Sequence, residues 1–400
     1  MATPVFYLSR EVEVAVQEEA TYGTSPGAVA GTDMFKQTSR LMVTPKRARY
    51  YRDQDADYQQ ASILSPAQKG RESSDVKIDV DAVPSGAGTP TEPDIDILLK
   101  THFGTKHKGT AHTTTTSGST TTSIVLTGGG GAASGVAIGD LIAIDVDATL
   151  GYEVRRVTNV ATDTLTVTPA CGAAPATGRT VKLGTTYKFL NTATLSLYLS
   201  QWIGGAGVRH AVPGVIITDM EASCAFDNET PMPKFSFAGR GMKEVTHAVA
   251  RPTPTTAGQP LVLTQGKAWV GAIKVCPINA SLKSNNGIEL RENLCASLEP
   301  AGVKRTGNSS RYSVEATIES MLTTGTPDTA AMYESAKSSD ATPLEITVQW
   351  GIVPGTIVAF VMPKFVCDPE RTELSGEFGV KFSGKALGTT GDDELFLAFI

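Results

Sequence analysis

Five histidines, His102, His107, His112, His210 and His247, are the side chains of this chain best suited to proton transfer or metal ligation near neutral pH. The first three follow the spacing H-x4-H-x4-H at the border of the Thr-rich run "TKHKGTAHTTTTSGSTTTS". A polar, low-complexity tract without cysteine or carboxylate support makes a poor metal cage, so a solvated linker is the preferred reading. Glu244 and His247 have E-x-x-H spacing, which matters only on a helix facing a second copy. "GMKEVTHAVARPTP" reads instead as a strand end entering a proline-rich loop. Nucleophilic catalysis needs a base beside the nucleophile, and so few scattered histidines offer little of it.

Phosphate chemistry is no better served. Gly266-Lys267 and Gly384-Lys385 are each followed by Ala, so the hydroxyl that would hold Mg²⁺ is missing. "GGGGAASG", residues 128–135, lies in a run of short strands without a strand–turn–helix unit, and reads as a turn. Cys171, Cys224, Cys276, Cys295 and Cys367 are odd in number and scattered among strand-like residues, as reduced buried thiols would be. The chemistry thus points to no catalytic centre, cofactor or metal. One basic, aromatic patch remains, "PKRARYYRD", with Lys46, Arg47, Arg49, Tyr50, Tyr51 and Arg52. Nucleic-acid sites look like this, and so do protein–protein contacts. A net charge of −6 favours contact between subunits over DNA binding.

The elements that would carry these residues are mostly strands. Charged residues make up 19% of the chain, below the globular norm of about 25%, and Gly, Thr, Ser and Ala fill the gap. The N-terminus has no basic region followed by an apolar run, so no signal peptide is expected, and no apolar run approaches membrane-spanning length. Residues 1–108 read as an extended arm and the first part of the main domain. Within them "DVKIDVD" alternates as a strand, and "PDIDILLKTHF" places Ile95, Leu98, Leu99 and Phe103 at helical spacing. Residues 109–186 hold five short alternating strands and read as an inserted small β-barrel or meander. Residues 187–400 read as a β-sandwich, with a short helix expected over "DTAAMYESAK". There "GVIITDMEASCAFD" is expected to pair with "KFSFAGRG", and "RYSVEATIES" with "LEITVQWGI". In "LEITVQWGIVPGTIVAFVMPKF" two strands flank a Pro354-Gly355 turn, and Glu345, Thr347 and Gln349 are expected to form a wet face.

In order and texture the chain resembles the tail tube (major tail) proteins of long-tailed bacteriophages. The resemblance rests on "EEATYGTSPGA", "TDMFKQTSRLMVTP", "LSLYLSQWIGGAGVRHAVPGVIITDMEASCAFDNETPMPKFSFAGRGM", "NASLKSNNGIELREN" and the closing "PLEITVQWGIVPGTIVAFVMPKF … GEFGVKFSGKAL … ELFLAFI". It covers nearly the whole chain, although no single motif is diagnostic. It implies a mainly β tail-tube sandwich, hexameric rings stacked into a virion tail, and hairpins forming an inner barrel around a tape measure protein. Tail terminator and distal tail proteins would be further partners. DNA would pass through without specific binding, so the bore should be hydrated and acidic. Asp219, Glu221, Glu315, Glu319 and Glu345 are the expected lumen residues, and the basic patch is the expected contact between subunits. The alternative is a receptor-binding, glycan-binding or decoration β protein. Tyr152 is the only aromatic of the inserted module before Tyr187, which disfavours stacking on sugars.

Overall fold

The structure is a computed structural model that describes residues 12–35, 38–50, 68–81, 89–128, 131, 134–190, 195–203, 208–225, 231–253, 265–291, 302–305, 312–324, 328–337, 343–374, 377–389 and 391–400. Eighteen of the described strands join one antiparallel network that folds into layers.

The first layer is an eight-stranded sheet. It runs β3 (Thr38–Tyr50), β4 (Gln68–Asp81), β15 (Lys234–Gly241), the second half of β14 (Arg209–Ala225), β19 (Pro277–Asn285), β22 (Ser313–Met321), β25 (Glu377–Ala386) and the second half of β24 (Val358–Leu374). The second layer runs β18 (Ile273–Val275), β17 (Gly266–Val270), β23 (Leu344–Trp350), the first half of β24, β26 (Phe396–Phe399), β12 (Thr185–Phe189) and β5 (Gly104–Lys108). A smaller sheet holds β2 (Met34–Phe35), β1 (Val12–Glu18), β13 (Leu197–Ile203), the first half of β14 and β16 (Val245–His247). Two strands therefore pass between sheets. In β14 the transfer follows Pro213-Gly214: Gly214 takes a left-handed φ of 62°, and its N–H is held by Glu19 Oε1 at 2.8 Å. A separate hairpin joins β20 (Ile288–Arg291) to β21 (Gly302–Arg305).

The core lies between the two large layers. Phe235 of the first meets Trp350 edge-on at 6.4 Å and Phe399 at 5.9 Å, both from the second. Helix α1 (Asp96–Phe103) buries Leu98, Leu99 and Phe103 in this core. It ends because Gly104 takes a left-handed φ of 88° and caps Lys100 O, and Asp96 and Lys100 lie at the ends the helix dipole favours. Helix α2 (Thr329–Ala336) starts where Asp328 Oδ1 accepts the N–H of Ala331 at 2.8 Å. No helix of the described residues is long and apolar enough to cross a membrane.

The inserted module leaves the second layer between the paired strands β5 and β12. Its sheet runs β6 (Thr113–Thr114), β11 (Thr180–Leu183), β8 (Leu141–Asp145), β9 (Tyr152–Ala161), β10 (Thr164–Thr168) and β7 (Ser123–Val125). A bridge between Thr115 and Leu126 brings the two edges together around a core that includes Ile124, Ile142, Ile144, Val157 and Leu165.

Several expectations need correction. The Thr-rich run is no linker: Gly104–Lys108 is strand β5, and Thr115, 1% exposed, donates to Ala176 O at 2.6 Å. The run 18–41, expected as an arm on the surface, is only partly one: Glu19, Met34 and Phe35 are buried, and residues 38–41 begin β3 of the eight-stranded sheet. Strand β22 pairs with β19 and β25 rather than β23. Cys276 is exposed, whereas Cys171, Cys224 and Cys367 are buried; Cys295 lies outside the described residues.

Candidate assembly surface

The outward face of the eight-stranded sheet follows from strand alternation. On β14, Met220, Ala222 and Cys224 are buried while Asp219, Glu221 and Ser223 point away from the core. On β22, Val314, Ala316 and Ile318 are buried while Glu315 and Glu319 share the open face. The register sets these residues in rows across the strands. One row runs Asp79, Ser236, Glu221, Lys283, Glu315, Lys385, Val366. A second runs Ala225, Asn279, Glu319, Lys381, Glu370. Thus Asp219, Glu221, Glu315 and Glu319 share one surface, as the sequence suggested, but the lysines between them went unforeseen. Lys283 stands directly opposite both Glu221 and Glu315. The signal was present in "NASLKSN", which alternates as a strand, but its neighbours could not be read without the register. The face is therefore charge-alternating rather than uniformly acidic, and opposite charges across strands stabilise the sheet.

Short bonds fix several of these groups. Asp219 accepts from Asn285 Nδ2 at 2.7 Å and from Thr218 Oγ1 at 2.8 Å, and Glu319 from Asn279 Nδ2 at 2.8 Å. Lys385 and Glu315 lie 3.3 Å apart with both side chains about half exposed or more, so the pair adds little stability by itself. Asp75 is bonded by Arg240 Nε at 3.0 Å and paired with Lys46. Burial works against its charge, but these two cations outweigh that and hold its carboxyl below the ordinary carboxylate range.

Glu345 must be removed from the set. Its Oε2 accepts from Thr168 Oγ1 at 2.9 Å and faces Arg156 Nη2 at 3.4 Å, both on the inserted module. The whole polar face of β23, expected to be wet, is covered. Thr347 and Gln349 are fully buried. Gln349 Oε1 accepts from Val154 N at 2.9 Å, and its Nε2 donates to Tyr152 O at 3.2 Å and Gly351 O at 2.9 Å. Lys267 Nζ adds bonds to Leu150 O at 2.5 Å and Tyr152 O at 2.8 Å. Leu141, Ala143 and Val154 of the module pack on Ile357, Ala359, Phe396 and Ala398 of the second layer. The module is therefore seated on the sandwich side opposite the charged rows.

Of the basic patch, Lys46 lies exposed on β3. Arg47, Arg49 and Tyr50 continue that strand, with their side chains outside the described set, and Tyr51 and Arg52 fall outside the described residues. Three of the histidines are held by other side chains: His102 by Ser284 Oγ at 2.7 Å, His107 by Asp140 at 2.9 Å, His210 by Glu244 at 2.8 Å. Among the described residues no group of three His, Cys, Asp or Glu side chains could hold a metal ion.

The site so defined is an extended, charged sheet face bounded among the described residues by β3 and the second half of β24, with one shallow hollow lined by Thr44, Asp75, Lys77, Thr218, Asp219 and Arg240. No family model matches the chain, and no curated protein matches it.

Proposed function

We propose that the chain is a structural subunit that pairs its sheet edges with copies of itself, forming hexameric rings stacked into the tail tube of a long-tailed bacteriophage. The observation that carries this reading is the eight-stranded sheet, dry on one face and charged on the other. Its outermost strands, β3 and the second half of β24, pair on one side only among the described residues. Every neighbouring pair in it is antiparallel, and the strand number is even. A copy rotated about a ring axis then sets its β3 beside β24 with the alternation of directions unbroken. Edges left open in a monomer are an aggregation hazard that a closed ring removes. Pro45 on β3 and Pro369 on β24 each lack an N–H, which guards both edges against indiscriminate pairing.

In this assembly the charged rows line the bore and the inserted module sits outside. Alternating carboxylates and lysines bind water strongly, while Lys283, Lys381 and Lys385 each stand opposite an acid across the sheet. A polyanion therefore gains little by displacing those partners, and DNA slides rather than sticks. A tape measure protein would occupy the bore before ejection, with terminator and distal tail proteins at its ends. Negative-stain microscopy of the purified chain tests the reading. Rings or tubes of uniform bore are expected; monodisperse monomers at high concentration would overturn it.

A further inference from the structure

The two ends of strand β25 differ in a way that suits them to each other. At the far end of the β24–β25 hairpin, Phe378 is 71% exposed, the most exposed of the large apolar side chains described. Its cross-strand partner Glu373 is exposed on the same face, and its chain neighbour Glu377 is exposed on the other. At the other end Leu387 is 46% exposed, held by its N–H to Lys364 O at 2.7 Å. Lys364 and Lys385 are exposed there, Lys385 with Glu315 of its own chain 3.3 Å away. One end thus presents an aromatic knob with two carboxylates, the other an aliphatic side chain with two ammonium groups. Nine residue steps separate them, about 30 Å at the usual rise.

We infer that the axial contact between stacked copies is made by the Phe378 tip of one copy seated on the Leu387 base of the next, an inference that rests on the tube reading above. A second copy is the occupant the surface selects, because translation along the strand brings opposite charges and the two apolar groups together. The contact joins different patches, so it is heterologous and does not close on itself, and it propagates as a filament of fixed polarity. The β3–β4 hairpin supports the same polarity. Its far end extends beyond the Ser74–Gly241 pair, at the sheet end opposite the Phe378 tip. Burying an exposed aromatic and apolar partner inside a ring of charge follows the usual anatomy of a protein contact, with an apolar centre and a polar rim.

The test compares wild type with Phe378→Ser, whose side chain loses few contacts within the chain, and with a Phe378→Cys/Leu387→Cys pair in a Cys276→Ser background. Wild type should form tubes. Phe378→Ser should keep its circular dichroism and melting temperature, form rings, and lose tubes. The paired cysteines should give a ladder of disulfide-linked chains under mild oxidation, absent from either single variant. Tubes from Phe378→Ser as abundant as those of wild type, with no ladder, would sink this contact and leave the tube reading standing. Wild type that forms rings but never tubes would also sink it, because copies then make no axial contact through the tip. Wild type that forms neither rings nor tubes overturns the proposed function, and this inference with it.

Discussion

Acid should unfasten this protein at one identifiable side chain. His102 lies in α1, 2% exposed, with its ring edge-on to Phe103 at 5.1 Å and to Phe189 at 5.7 Å. Burial pushes its pKa down from 6.5 to about 3, against the opposing pull of Asp219 and of the nearby Ile217 backbone. Between those two values the unfolded chain binds a proton that the folded chain refuses, so stability must fall as pH drops from 6.5 toward 3. At about pH 4.5 the unfolded histidine is almost fully charged and the folded one almost fully neutral. The difference is roughly two pKa units, on the order of 3 kcal/mol. Urea denaturation at about pH 7 and about pH 4.5 measures it, with His102→Gln as the non-titrating comparison. The substitution should cost stability at neutral pH, since it removes a packed ring. Between the two pH values, however, it should lose on the order of 3 kcal/mol less than wild type. Equal losses in the two proteins, or an imidazole that titrates near 6 by NMR in the folded state, would refute the reasoning.

The module joint gives a second prediction. Gln349→Leu leaves the buried Val154 N–H and Tyr152 C=O without this partner, and should cost about 2–4 kcal/mol, read as a lower melting temperature. Proteolysis should then enter at the strands that join module and sandwich, β5 and β12. A third concerns the charged rows. Lys283→Glu places like charges opposite Glu221 and Glu315, and should destabilise the sheet by about 0.5–2 kcal/mol. The loss should shrink in high salt, because exposed charges are screened; a loss independent of salt would mean that packing, not charge, had been disturbed.

Much of this fold was legible because its signals are local. The Pro354-Gly355 turn works through its own backbone: Gly355 has a φ of 85° and Thr356 N–H returns to Val353 O at 3.0 Å. The strands it joins, β23 and β24, follow directly. The alternation of Asp219 and Glu221 with Met220 and Ala222 sorted wet from dry on β14, since strand geometry alone sends successive side chains to opposite faces. Helix α1 was announced by Pro93 and by apolar residues at helical spacing. Alternation failed on β23 for a clear reason. Glu345, Thr347 and Gln349 are polar at the right period, yet the module covers them, and Gln349 is tolerated there because its amide is fully bonded. A period reports that two faces differ in chemistry; it does not report what lies against either one.

Residue pattern alone placed the strongly alternating strands such as β14 and β23 and the Pro354-Gly355 turn, and told which side chains each of those strands turns the same way, because these depend on backbone geometry within a few residues; it missed β5 and β6 in the Thr-rich run, whose pairing is non-local. Only the tertiary structure decided that Lys283 stands between Glu221 and Glu315, that β22 joins β25 rather than β23, and that the module closes over Gln349. Each of those is a pairing between distant segments, and antiparallel ladders accept many registers until a shared core selects one.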